Sequence, residues 1–123
     1  MAVSRVEDLV AFQRAVALRR GAHALVRQCT VQVDFKWRSQ VFDAILSVES
    51  NIAEGWTRSR HGEMAQFLRY AHGSLDEAWR RLLDGADNGY YPMAALDELR
   101  VHERVCGAAL RRLRTYLETT PDP

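Results

Sequence analysis

Residues Ser47 to Trp79, SVESNIAEGWTRSRHGEMAQFLRYAHGSLDEAW, decide the fold. They read as the end of one helix, a short basic corner and most of a second helix. Small and polar residues interrupt both helices where apolar faces must be buried. Ser47, Asn51 and Glu54 fall at i, i+4 and i+7, on one side of the first of these helices. Gly73, Ser74 and Glu77 fall together on the second.

Working outward, a helical rhythm runs through the whole chain. In the corner-to-helix segment Met64, Leu68, Ala71, Leu75, Ala78 and Leu82 alternate steps of four and three. A second face carries Glu63, Phe67, Tyr70, Ser74, Glu77 and Arg81, so this helix is expected to have two sets of neighbours. Upstream, Val41, Ile45, Val48 and Ile52 make the preceding seam, and Gly55 reads as its left-handed stop. Thr57 or Ser59 is the expected cap of the next helix. At the start of the chain, Ser4-Arg5-Val6-Glu7 has the form of a capping box. Ala11, Ala15, Leu18, Ala22, Leu25 and Cys29 continue as a seam. The β-branched Thr30, Val31 and Val33 weaken helix propensity, so that helix should stop near Gln28. After Asp87-Asn88-Gly89, a strong turn signal, Pro92 opens a last helix with the seam Leu96, Leu99, Cys106, Leu110, Leu113 and Leu117.

The expectation is an all-α, antiparallel up-down-up-down four-helix bundle. Its helices cover about residues 5–28, 37–55, 61–87 and 92–118, forming one domain over 1–118 with a disordered tail at 119–123. A chain of 123 residues, 47% hydrophobic, can bury a core without disulfides or metal. No stretch approaches the ~20 apolar residues of a membrane helix. No charged-then-apolar leader opens the sequence, which predicts a cytoplasmic protein with no membrane partner. Cys29 and Cys106 both fall on apolar stripes and are expected to be free thiols.

The charge pattern is modest. Net charge is +1, but sixteen of the seventeen basic residues are arginine, the side chain suited to bidentate phosphate or carboxylate contact. Up to Gly62 the chain has nine basic and six acidic residues; beyond it, eight and ten. Arg100, Arg104, Arg111 and Arg114 share a face of the last helix, and Arg58 and Arg60 sit at the corner. Such a stripe tracks phosphates or is a solvated face. Trp56, Phe67, Tyr70 and Trp79 cluster around the corner and read as core or as subunit interface. His23, His61, His72 and His102 have no metal-ligand spacing, so no metal, cofactor or catalytic residue is assigned.

Two motifs carry a family resemblance. Asn51-Ile52-Ala53-Glu54-Gly55-Trp56, followed by Phe67-Leu68-x-x-Ala71-x-Gly73-Ser74-x-x-Glu77, resembles the bacterial four-helix-bundle family encoded in intervening sequences of 23S ribosomal RNA genes. That family is related to Avd, the accessory protein of diversity-generating retroelements. Leu9, Ala15, Leu18, Ser39-Gln40 and Gly89-Tyr90-Tyr91 match as well. The resemblance implies a bundle that assembles as a ring, a homopentamer, with no catalytic activity and with nucleic-acid binding in the Avd branch. Partners would be other copies of the chain, and RNA, DNA or a nucleic-acid-handling protein. The chain departs from the pattern at Val41-Phe42-Asp43-Ala44, where the family has basic residues, and at Ser47-Val48-Glu49-Ser50.

The polar set Ser47, Asn51, Glu54, Gly55, Gly73, Ser74 and Glu77 has two readings. One is a hydrogen-bonded knot that fixes helix pairing, with Gly73 allowing close approach. The other is an enzyme or metal site in which Glu54 and Glu77 pair between the second and third helices. The structural reading is preferred, because no nucleophile or complete ligand set accompanies the carboxylates.

Overall fold

A computed structural model describes residues 3–123; Met1 and Ala2, the first two residues of the expected domain, lie outside the described residues. Four helices follow one another: α1 Val10–Arg27, α2 Phe35–Trp56, α3 His61–Asp87 and α4 Asp97–Thr119. Single 3-10 turns precede α1 (Val6–Asp8) and α4 (Met93–Leu96).

Named cross-helix contacts fix every direction. Ser47 meets Ser74 while Gly55 meets Met64 and Phe67, so α2 and α3 run antiparallel. His23 on Phe42 and Arg19 on Glu49 set α1 against α2 in the same way. Arg100 lies over Trp79, and Arg69 reaches Glu118, across α3 and α4. Cys106 faces Ala11, and Arg14 faces His102, across α4 and α1. The helices therefore close a four-sided, antiparallel up-down-up-down bundle.

The core is the set of seams read from the sequence. Val41, Ile45, Val48 and Ile52 are completely buried, as are Leu68, Ala71, Ala78 and Leu82. Each buried valine, isoleucine or leucine side chain contributes about 1.5–3 kcal/mol relative to exposure. In α1 the buried stripe is Ala11, Ala15, Leu18, Ala22 and Val26, with Leu25 only half-buried. Among the described residues the core holds no fully buried charged side chain.

The helix ends differ from the sequence reading in five places, one being the last helix: Pro92 opens a 3-10 turn over Met93–Leu96, and α4 begins only at Asp97. Ser4 and Glu7 do not form a capping box: α1 starts five residues later, at Val10, with no side-chain cap. Burying Leu9 in extended backbone separates the Val6–Asp8 turn from the helix. Helix α2 starts on Asp34, whose carboxylate accepts from the amides of Lys36 (2.7 Å) and Trp37 (3.4 Å). Gly55 is not a left-handed stop, since the helix continues through Trp56 and Gly89 is the only positive-φ glycine (φ +80°) among the described residues. Neither Thr57 nor Ser59 caps α3; Asp122, from the chain's far end, accepts from the His61 amide at 2.7 Å. The tail expected to be disordered thus lies over the α3 N-terminus, where a carboxylate complements the helix dipole. His61 Nδ1 also lies 2.8 Å from the Thr120 carbonyl.

Candidate functional site

The α2–α3 seam brings together three of the seven expected knot residues. Asn51 Nδ2 donates to the Ser47 carbonyl at 2.8 Å and to Ser47 Oγ at 3.0 Å. Ser74 Oγ donates to Ser47 Oγ at 2.9 Å, which ties the two helices at mid-length. Gly55 belongs to the same seam through packing. A Cβ there would come within 2.9 Å of Phe67 Cβ and 3.4 Å of the Met64 carbonyl, so glycine permits the close approach of α2 to α3. Gly73 does not have this role; it is exposed, and nothing lies within 4 Å of where its Cβ would be.

Glu54 and Glu77 stand apart from the knot and from each other. Glu54 is exposed and pairs with Arg58 at 2.6 Å. Glu77 is exposed with Arg81 at 4.0 Å. Because α2 and α3 are antiparallel, Glu54 sits level with Phe67, ten residues before Glu77 on α3. At 1.5 Å per residue the two carboxylates are separated by about 15 Å along the bundle. They cannot share a proton or a metal ion. Among the described residues no group of three or more His, Cys, Asp or Glu side chains converges as a metal site.

The arginines of the expected stripe divide into two kinds. Arg58 pairs with Glu54 and lies 4.9 Å over the Phe67 ring. Arg100 lies 4.8 Å over the Trp79 ring and 3.4 Å from Glu103. Arg114 is 3.4 Å from Glu118. Arg60, Arg104 and Arg111 are exposed. Arg104 and Arg111 line a shallow α3–α4 cleft of about 280 Å³ together with His72, Asp76, Arg100 and Glu103. The buried Nδ1 of His72 has no hydrogen-bond partner there.

The expected interface aromatics also separate. Trp79 is buried under Arg100 and Trp56 is half-buried against the core. Phe67 is half-buried and meets Tyr70 edge-on at 5.9 Å. Tyr70 is 51% exposed, as is Leu46 on the outer side of α2. Both cysteines are free thiols. Burial pushes Cys106 up to about 12, with Glu103 adding to the effect, and burial also raises Cys29.

Sequence reasoning missed two groups. One is the lock at the end of α3: Tyr91 donates to the Leu82 carbonyl at 2.6 Å and Trp37 Nε1 to the Arg81 carbonyl at 2.8 Å. Both rings crowd Gly85, and a glycine inside a helical pattern was the available signal. The other is the basic, aromatic edge between α1 and α2. His23 stacks on Phe42 there, and burial, followed by the fields of Arg27, Arg19 and Arg38, lowers the His23 pKa below its ordinary value. Only the fold brings α1 and α2 residues together, so no motif could have shown it.

Fold and seam define an all-α bundle whose central polar residues tie helices to one another. The sequence model of the family described as 23S rRNA-intervening sequence protein matches residues 7–111, and the chain belongs to that family. A search of curated proteins finds no match. Among the described residues no helix is long and apolar enough to cross a membrane.

Proposed function

We propose that the protein is a non-catalytic, self-assembling helical bundle that works as a scaffold or adaptor for nucleic acid or for a protein that handles it. The observation that carries the assembly is the outer edge of the α2–α3 pair. Tyr70 of α3 is half exposed there, and Phe67, which packs beside Gly55 of α2, supports it edge-on. Aromatics set in an exposed apolar patch are what a subunit contact uses. The ring-like homopentamer that the family resemblance implies would cover this edge with another copy of the chain. It would also multiply weak phosphate contacts by avidity, with no new contact within a subunit. The separation of Glu54 from Glu77 supports the non-catalytic reading. The two free thiols suit a reducing compartment such as the cytoplasm.

Light scattering on the purified protein tests the assembly. The expected mass is that of a homopentamer, and Tyr70→Ser should shift the population to smaller species, as loss of an interface anchor costs about 2 kcal/mol or more. A wild-type protein that stays monomeric at high concentration would refute it.

A further inference from the structure

The α1–α2 edge gathers side chains that the assembly does not use. Phe35, Arg38 and Phe42 fall at i, i+3 and i+7 on one face of α2, an aromatic–basic–aromatic series about 10 Å long. Phe35 is 83% exposed, more than any other large apolar side chain among the described residues. From α1, His23 lies flat on Phe42, with ring centroids 3.9 Å apart and 8° between the planes. Arg27, Arg19 and Arg38 are close enough to act on the His23 ring. Arg19 is held by Glu49 at 2.7 Å. Arg27 and Arg38 are exposed, and neither pairs with a carboxylate among the described residues. The first half of the chain also holds the molecule's basic excess, nine residues against six acidic.

Unpaired guanidiniums favour a polyanion. An exposed ring set among them favours something flat that can lie on it. A single nucleic-acid strand meets both demands, because its bases have free faces and its phosphates follow at short intervals. A duplex keeps its base faces stacked inside and cannot use Phe35 in this way. Two copies of the same face would oppose like charges.

We propose that the α1–α2 edge binds single-stranded nucleic acid, with a base stacked on Phe35 and the backbone phosphates held by Arg27 and Arg38. The proposal rests on the nucleic-acid part of the function proposed above and moves it away from the α4 stripe. In that stripe Arg100 and Arg114 are already engaged by carboxylates.

Fluorescence anisotropy with a labelled oligothymidine strand, and with a duplex of equal length, tests the placement at low and physiological salt. Phe35→Ser should weaken strand binding about tenfold. Arg38→Gln should lower the salt slope by about 0.7. The paired change Arg104→Gln/Arg111→Gln should alter neither. All these side chains are exposed, so unchanged thermal melting is expected and shows that the variants fold. Full binding by Phe35→Ser and Arg38→Gln, with loss in the α4 variant, overturns the placement but leaves the nucleic-acid reading standing. No binding of wild-type protein at low salt removes both. Tighter binding of the duplex than of the strand overturns the stacking. If Phe35→Ser lowers the oligomer mass and leaves strand binding intact, Phe35 is a subunit contact and the proposal falls.

Discussion

Helix α3 meets its two neighbours in different ways. Against α2 it packs closely: Gly55 lets the helices approach, fully buried Leu68 and Leu75 lie beside Val48 and Ile52 in one core, and Ser47, Asn51 and Ser74 exchange hydrogen bonds. Against α4 it leaves a cleft, with charged groups spanning the rim: Arg69 to Glu118 at 2.9 Å and Arg100 over Trp79. Both seams share one apolar core, yet α2 approaches α3 through a glycine contact, whereas charged groups rim the α4 side. The contrast shows where specificity lies. A glycine contact admits a single residue type, whereas an exposed ion pair gains little over solvated charges.

Substitutions along the two seams put that contrast at risk. The largest effect should come from Gly85→Ala, at the α2-side end of α3. Its new Cβ would press on the Tyr91 hydroxyl and come within 2.6 Å of the Trp37 ring. Both rings are anchored by their own hydrogen bonds to α3 carbonyls and cannot easily yield. Overpacking of this kind costs about 2–3 kcal/mol, a fall in melting temperature of roughly 8–12 °C in a domain of this size. A melting curve that matches wild type would mean the steric account is wrong. Next comes Asn51→Leu, which removes both hydrogen bonds to Ser47 and leaves Ser74 with a weakened network. About 1 kcal/mol, or roughly 4 °C, should be lost. Unchanged melting and an unchanged oligomer mass would remove the knot from the account of helix pairing.

The smallest effect belongs to the other seam. Glu118 accepts from Arg69 and lies 3.4 Å from Arg114, but its side chain is 46% exposed and that of Arg69 is 43% exposed. Glu118→Gln should cost no more than about 0.5 kcal/mol, and the difference should shrink further in high salt. Calorimetry at two salt concentrations would check this. A loss comparable with that of Gly85→Ala would erase the distinction between the seams.

How much could be read beforehand follows the same division. The apolar rhythms of Val41–Ile52 and Met64–Leu82 point straight to buried stripes, because a helix repeats every 3.6 residues whatever its neighbours are. The turn at Gly89 was legible from Asp-Asn-Gly for an equally local reason. The role of Gly55 was misread, since the same residue serves as a left-handed stop or as a close-contact position. Sequence spacing cannot tell a backbone angle from a neighbour's distance. Glu54 and Glu77 looked like a pair because both follow polar landmarks, but antiparallel packing carries them in opposite directions.

Local periodicity and turn chemistry therefore determined the four helices, their inward faces and the bundle class, since each depends on residues within a few positions of one another. Tertiary structure alone tied Arg19 to Glu49 and Arg69 to Glu118 across helices. It also placed the tail's Asp122 on α3 and laid His23 against Phe42. Those outcomes depend on distances between residues far apart in the chain, which are set only when all four helices pack around one core.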